Sequence, residues 1–411
     1  MAQPKTDSAI IRHDRREKMN AQLLDKAKIT VIHTFPVWLP QTQTWMYNQV
    51  RYLPDEIENH IVCERTENLE QFGLPNIHSL EDAPKWRYFW DKGLRKLRMR
   101  RHLGWLVEIA QQKGATILHS HFGMTGWANI EAANQARLKH AVTFYGLDVN
   151  YLPNQDPRWR TRYQKLFAHA DLILCEGSHM AQCIVKLGCP AHKVKVHHLG
   201  VSVKAIAFQP RVWNPPEPLR VLISATFTEK KGIPYALEAL GQLQYQVPLQ
   251  ITIIGDARNV PSSQAEKQAI LATIEKYNLQ SKVRLLGYQP HKVLFEEAYQ
   301  HHIFLSPSIT ASHGDTEGGA PVSLIEMAAT GMPIISTTHC DIPEVILNGI
   351  TGLLAEERDV AGLVAHLQQL VNYPEQWYTM LQAGRKHIEA EYDAEKQGAR
   401  LAELYLNIKS G

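Results

Sequence analysis

At 411 residues, 44 % apolar and 21 % charged, with 24 Gly and 22 Pro, the chain is long enough for two or three domains. Its composition is ordinary and globular, which excludes a disulfide mini-protein, a collagen, a coiled coil and a disordered chain. Net charge is +3, yet residues 1–210 hold 28 Lys+Arg against 19 Asp+Glu while 211–411 hold 16 against 22, so the two halves face different partners.

Residues 1–28 carry Arg12, Arg15, Arg16 and Lys18 but no signal-type apolar segment, and they read as an N-terminal extension. Five scattered cysteines with no CxxC pair suit a reducing compartment, and no apolar run reaches the length of a membrane span, so a cytoplasmic protein is expected. From residue 29 short β-rich runs alternate with longer amphipathic stretches: "ITVIH" (29–33), "TILHSHF" (116–122), "AVTFY" (141–145), "DLILC" (171–175) and "VKVHH" (194–198). This rhythm predicts βα units and a parallel sheet. The polar loop Gln41–Thr44 follows the first run and is expected on its ligand-facing side. Further on, "KWRYFWDKGLRKLRMRRHLGW" (85–105) interleaves eight Lys/Arg with aromatic anchors. It reads either as a basic amphipathic helix lying on an anionic membrane surface or as a solvated basic face with its aromatic side packed inward. No nucleic-acid motif accompanies it, and nucleic acid is not an expected partner.

The prolines of "FQPRVWNPPEP" (208–218) predict an interdomain connector. A second βα series follows through "LRVLISA" (219–225), "LQITIIG" (249–255), "KVRLLG" (282–287), "HIFLSPS" (302–308) and "GMPIISTT" (331–338), and "AEYDAEKQGARLAELYLNI" (390–408) predicts a terminal helix. The fold class is therefore α/β, with a first doubly wound domain over 29–210, a second over 211–389 and a terminal segment over 390–411. In such sheets ligands bind beyond the carboxyl ends of the strands, so two facing domains are expected to enclose a cleft.

Information is densest in "ITASHGDTEGGAPVSLIEMAATGMPIISTTHCDIPEVI" (309–346). Gly318 and Gly319 permit close approach of backbone to a ligand, and Pro321 suits the first position of a helix that runs to about Thr330 and stops at Gly331. Free N–H groups around Val322, Ser323 and Leu324 would then hold an anion such as a diphosphate. Glu317 and Glu326 bracket that site, and a carboxylate can accept two hydroxyl hydrogen bonds from a sugar diol. Taken singly, Glu317 reads equally well as a capping acid and Glu326 as an exposed helix acid.

The stretch resembles the donor-site motif of the retaining nucleotide-sugar glycosyltransferases of family four, the sucrose-synthase-like group. Eight residues rather than seven separate the two glutamates, and the match continues through "SLIEMAATGMPIIST", "IPEVI" and "NGITGLL". The resemblance implies a GT-B fold of two Rossmann-like domains. It implies that Glu317 and the amides of Gly318, Gly319 and Ala320 hold the transferred sugar, and that Glu326 binds the ribose diol. "ATFTEKKGIPYALEAL" (225–240) resembles the family's "GR…EKKG", with Lys231 as the diphosphate lysine and Thr226 where the family has arginine. Backbone around Tyr288 is expected at the base. "VTFYGLDV" (142–149) resembles "VTFHGYD", with Tyr145 replacing a histidine credited with a donor-sugar contact and Asp148 retained. "HTFPVWLPQTQTWMYNQVRYL" (33–53) and "HSHFGMTG" (119–126) are similar to segments of exopolysaccharide and colanic-acid-type members, and they place His121 at a strand end.

The implied reaction moves a hexose from a nucleotide diphosphate sugar, UDP-linked in preference to GDP-linked, to a hydroxyl of a glycan or lipid-linked acceptor, with retention of configuration. The leaving phosphate oxygen takes the acceptor proton, and no metal or other cofactor is expected because no DxD-type motif stands near the donor site. Competing readings are a non-catalytic sugar-nucleotide-binding protein, a nucleotide-sugar epimerase or phosphorylase on the same fold, and a membrane-surface adaptor working through 85–105. The enzyme is expected in the cytoplasm, with the inner membrane face as the surface that 85–105 would meet.

Overall fold

A computed structural model describes residues 29–40 and 43–410. The expected extension 1–28, and Gln41 and Thr42 of the expected polar loop, lie outside the described residues; Gln43 precedes a helix that begins at Thr44. Two parallel sheets organise the rest. The first has seven strands in the order β3-β2-β1-β4-β5-β6-β7. They are β1 (Ile29–Trp38), β2 (Ile57–Thr66), β3 (Ile77–Ser79), β4 (Ile117–His121), β5 (Lys139–Thr143), β6 (Leu172–Cys175) and β7 (Val194–Val196). Register runs Ile29 opposite Ile57 and Val31 opposite Ile117. β1, β4 and β6 are buried with little alternation, the polar His119, Ser120 and His121 of β4 included, because both faces of a parallel sheet are covered. β2 and β3 went unread in the sequence because Glu58, Asn59, His60 and His78 interrupt their apolar pattern.

The second sheet has six strands, β10-β9-β8-β11-β12-β13, formed by β8 (Leu219–Ser224), β9 (Leu249–Ile254), β10 (Val283–Gly287), β11 (Ile303–Ser306), β12 (Ile334–Thr337) and β13 (Leu353–Ala355). Its order turns around β8 and β11, the kind of switch point beyond whose strand ends ligands bind. Seven helices matter below: α1 (Lys85–Lys96), α2 (Gly104–Gln112), α3 (Ser178–Lys186), α4 (His291–Ala298), α5 (Val322–Ala329), α6 (Ile342–Val345) and α7 (Ala394–Ser410).

The chain condenses into two compact units. One holds the residues through Thr143, Lys165–Leu174 and Gly398 onward, and the other holds Phe144–Gln164 and Cys175–Gln397. Residues 208–218, expected as a connector, fall within the second unit and are anchored to it at two points. Arg211 is buried and donates to the carbonyls of His301 (3.0 Å) and Ala298 (2.9 Å), and Trp213 joins the apolar core with Leu219, Leu237 and Ile303.

In the first unit, Leu401, Ala402 and Tyr405 of α7 complete an apolar layer with Ile29, Val31, Ile117, Ala141, Leu172 and Leu174. Gly398 makes the entry possible, because a Cβ there would stand 1.8 Å from the Tyr52 carbonyl oxygen. The single helix expected over 85–105 is two. α1 stops at Lys96, Arg98 takes φ 58, and α2 starts at Gly104. Asp91 makes this break: its carboxylate accepts from Arg95 (2.8 Å), Arg100 (2.7 Å) and the Gly104 N–H (2.6 Å).

Candidate active site

The site lies in the second unit, where β8 and β11 end. β8 passes through Ala225 and Thr226 into a short turn, Glu229–Lys231, closed by Gly232 at φ 63. A Cβ on Gly232 would meet the Pro307 carbonyl at 2.0 Å, so the turn after β8 lies directly against the chain leaving β11. Lys231 Nζ thereby reaches Glu317, at 2.8 Å from the carboxylate. Ser308 Oγ donates to the same carboxylate (2.8 Å). Lys230 donates to the Thr316 carbonyl (2.9 Å) and pairs with Asp315 (3.1 Å). Burial pushes the Glu317 carboxyl up, but Lys231 and Lys230 outweigh it and hold the group below the usual carboxylate range.

The backbone beyond Glu317 is held by close contacts only glycine allows. Gly318 has φ 82, and a Cβ on it would lie 1.9 Å from the Gly146 Cα; a Cβ on Gly146 would lie 2.2 Å from the Glu317 carbonyl. The Tyr145–Asp148 turn is therefore pressed onto the Glu317–Gly318 peptide. Asp148, fully buried, fixes that turn by accepting from the Tyr145 N–H (2.8 Å), and Asn150 donates to Thr316 Oγ1 (2.9 Å). A Cβ on Gly319 would stand 1.8 Å from Glu176 Oε2. Desolvation, reinforced by Asp341, Asp148 and Glu317, holds the Glu176 carboxyl well above its ordinary range.

Pro321 caps α5 rather than opening it, and the helix runs from Val322 to Ala329, with Thr330 as cap and Gly331 at φ 82. Leu324 N–H returns to the Pro321 carbonyl (2.9 Å), leaving the amides of Val322 and Ser323 at the positive end of the helix. Within α5, Glu326 is bonded to His291 Nε2 at 2.8 Å, and this bond raises the His291 pKa. His291 opens α4 just after Tyr288, which is half exposed beyond Gly287. The peptide N–H of Glu317 donates to His339 Nε2 (3.1 Å), and His339 Nδ1 lies 2.6 Å from Glu357. That pair fixes the tautomer with the proton on Nδ1.

Two carboxylates, two lysines and a helix N-terminus thus converge on one turn. Comparison with known proteins gives the constellation its family. The profile of "Glycosyltransferase Family 4" matches residues 42–205, and that of "Glycosyl transferases group 1" matches 206–387. A putative colanic acid biosynthesis glycosyltransferase, WcaL of Salmonella typhimurium, is 30 % identical over 312 residues, covering 74 % of this chain and 73 % of the relative. The amylovoran biosynthesis glycosyltransferase AmsK of Erwinia amylovora is 32 % identical over 298 residues, 71 % and 70 % of the two chains. This chain is a family-four glycosyltransferase.

Its fold is GT-B. Sucrose-phosphate synthase from Thermosynechococcus elongatus superposes with TM-score 0.70 over 93 % of the glycosyltransferase and 99 % of its own chain at 16 % identity. Anabaena HepE, in a structure with UDP and glucose, superposes with TM-score 0.71 over 92 % and 100 % at 14 % identity. With these relatives the glycosyltransferase works in polysaccharide biosynthesis.

Of the residues singled out in its sequence, Lys231, Glu317, Gly318, Gly319, Tyr145 and Asp148 meet at one place, while Thr226, Glu326 and Tyr288 stand at the strand ends and helix around it. His121 belongs to the first unit. It is wholly buried at the end of β4, stacked on Phe35 (4.0 Å) and His119 (4.3 Å), with Nε2 3.2 Å from His33 Nδ1. Ring nitrogens of His33, His119 and His121 lie within 4.8 Å of one another. They are engaged: His119 bonds Tyr405 and Thr143 (2.6 Å each), and His33 bonds Asn59 (3.1 Å). Burial lowers the His33 pKa to about 4 and that of His121 well below its ordinary value, so these two rings are neutral members of a hydrogen-bonded network. Sequence reasoning missed Gly146, His291, His339 and the placement of Glu176 against Gly319. The Gly146 contact had a signal in the motif glycine itself, whereas both histidines act across the fold on residues far away in the chain.

Proposed function

We propose that the enzyme transfers a hexose from a nucleotide diphosphate sugar, UDP-linked in preference to GDP-linked, to a hydroxyl of a glycan or lipid-linked acceptor with retention of configuration. The observation that carries this reading is the Lys231–Glu317 pair beside the Gly318–Gly319 turn that opens onto α5. The carboxylate is already ionised and oriented to accept sugar hydroxyls. Lys231, Lys230 and the amides of Val322 and Ser323 supply positive potential where the departing diphosphate gathers charge, and preformed donors of this kind are worth most in the transition state. Thr226 stands where many family members have an arginine, so the lysine and the helix end carry more of that charge. Glu326, steadied by His291, is placed to accept the ribose diol, and backbone near Tyr288 to meet the base.

In the proposed reaction the leaving phosphate oxygen takes the acceptor proton, and the protein contributes position and electrostatics without a metal or other cofactor. Asp148 acts through the Tyr145 turn it fixes, and His121 through the buried network behind β4. That HepE is described with UDP and glucose supports the UDP preference. The test is a thermal-shift panel of UDP, GDP and their sugars with the wild type and Glu317→Ala. UDP-hexoses are expected to stabilise the wild type, and the variant is expected to keep the UDP shift while losing the added shift from the sugar and all transfer. Undiminished transfer by the variant would overturn the assignment.

A further inference from the structure

Helix α1 is amphipathic the wrong way round for a soluble surface. Trp86, Phe89, Trp90, Gly93 and Leu97 fall within about 100° of the helix circumference at 100° per residue, and this is the side turned to solvent. Trp86 is 69 % exposed, Phe89 68 %, Trp90 65 % and Leu97 71 %, with Met99 just beyond at 72 %. The inward side is largely polar, with Tyr88 alone of the helix aromatics packed against the core cluster of Leu80, Leu103 and Leu106. Asp91 is buried, bonded to Arg95, Arg100 and the start of α2, and Arg95 also reaches Glu64 (3.0 Å). An ion-pair network therefore holds the helix to the unit and leaves its aromatic stripe outside. Of the two readings of 85–105, inward packing of the aromatic side holds for Tyr88 but not for Trp86, Phe89 and Trp90.

Charge decides what meets this stripe. Residues 85–101 hold eight Lys/Arg and one acid, Asp91, which faces inward. Four of the cations are balanced locally: Arg95 and Arg100 by Asp91, Arg87 by Glu108 and Arg101 by Glu131. Lys92 sits 3.6 Å from Glu64. Lys85, Lys96 and Arg98 have no ion-pair partner among the described residues, although the acids Glu81 and Asp82 come shortly before the helix in sequence. Large aromatic rings flanked by unpaired cations match a bilayer interface, where the rings enter the headgroup and acyl boundary while the cations meet anionic phosphates.

We infer that α1 is a docking surface for an anionic phospholipid membrane, with Trp86, Phe89, Trp90 and Leu97 inserting and Lys85, Lys96 and Arg98 reading the headgroup charge. This deepens the lipid-linked acceptor of the proposed function and rests on it only for its purpose. The anchoring site itself is on the first unit and needs no nucleotide.

The test is co-sedimentation of the full chain with phosphatidylcholine vesicles, with and without phosphatidylglycerol, at low and high salt. Wild type should bind only the phosphatidylglycerol vesicles and be released by salt. The triple variant Lys85→Glu, Lys96→Glu, Arg98→Glu should bind at least about a hundredfold more weakly, since each cation near an anionic surface contributes roughly fivefold. Trp86→Ser, Phe89→Ser, Trp90→Ser should also lose binding. Both variants should keep the wild-type melting midpoint and UDP shift, which separates failure of docking from failure of the donor assignment. No wild-type binding at low salt, or unchanged binding by either variant, would overturn the inference. So would a wild-type dimer that the aromatic variant converts to monomer, because a second copy would then be what covers the stripe.

Discussion

Removing Lys231 strips one partner from a buried pair, and the structure sets the size of the effect. Glu317 is 7 % exposed in its side chain and Lys231 19 %, so solvent screens little of the interaction. Breaking such a pair leaves an uncompensated charge; because Lys230 remains nearby, the lower end of the usual range applies, about 3 kcal/mol. At roughly 2–4 °C per kcal/mol for a unit of this size, Lys231→Ala should lower the melting midpoint of the second unit by about 6–12 °C near neutral pH. The pH dependence has a definite sign. Wild-type Glu317 is depressed below its unfolded value, so its stabilising contribution is present above the ordinary carboxylate pKa and is lost as pH falls through the depressed one. In the variant burial is less opposed, the carboxyl pKa rises, and protonation relieves the buried charge, so the gap to wild type narrows as pH falls. Transfer should fall by about a hundredfold, the scale for losing one preformed donor to developing charge. Melting curves from mildly acidic to neutral pH, with initial rates at saturating donor, check both. A variant with the wild-type midpoint at neutral pH and unchanged transfer would refute the electrostatic reasoning.

Gly318→Ala places a methyl at φ 82 against the Gly146 Cα and should cost transfer more than about tenfold with a lowered midpoint, whereas Gly314→Ala, at φ 83 in open space, should cost only about 1 kcal/mol of backbone strain; parallel rate and melting measurements decide. Asp341, which accepts from the His179 N–H at the start of α3, has a carboxyl raised to about 7 by burial. The unfolded carboxyl loses its proton near its ordinary value of 3.8 while the folded one holds it to about 7, so stability falls over that window and the advantage of Asp341→Asn should grow from about pH 4 to 7 and then level off in thermal melts. Tyr405→Phe removes the buried hydrogen bond between its hydroxyl and His119 Nδ1 and should cost about 1 kcal/mol in denaturant unfolding, with donor binding untouched.

The candidate site is legible in the sequence because its information is local. Glu317, the two glycines, Pro321 and Gly331 occupy one stretch whose backbone demands can be read in order, and Lys231 follows a strand that periodicity reveals. Both sheets could be anticipated from the alternation of apolar runs, apart from short or polar-interrupted strands such as β2, β3 and β13. What could not be read depends on meetings between distant segments. His121 looked like a strand-end ligand residue, and only the fold shows Phe35, His33 and His119 closing around it. The composition of 85–105 left open which side of the helix faces in; the answer came from Asp91, whose partners at Arg100 and Gly104 lie beyond the helix. The Pro-rich stretch reads as a linker because proline signals the end of an element, yet proline says nothing about packing, and Arg211 and Trp213 anchor the stretch to the second unit.

The return of α7 to the first sheet has a consequence for synthesis. Tyr405 and His119 are 286 residues apart in sequence, so the apolar layer of Ile29, Ile117, Leu172 and Leu174 stays uncovered while the whole second unit is made. At 5–20 residues per second those 286 residues take roughly 15–60 s. During it the nascent first sheet presents an open apolar face on the ribosome, where one end of the chain has been waiting for the other. The rate at which active enzyme appears in a cell should therefore follow completion and docking of the C-terminal segment, and chaperone occupancy should peak before it emerges.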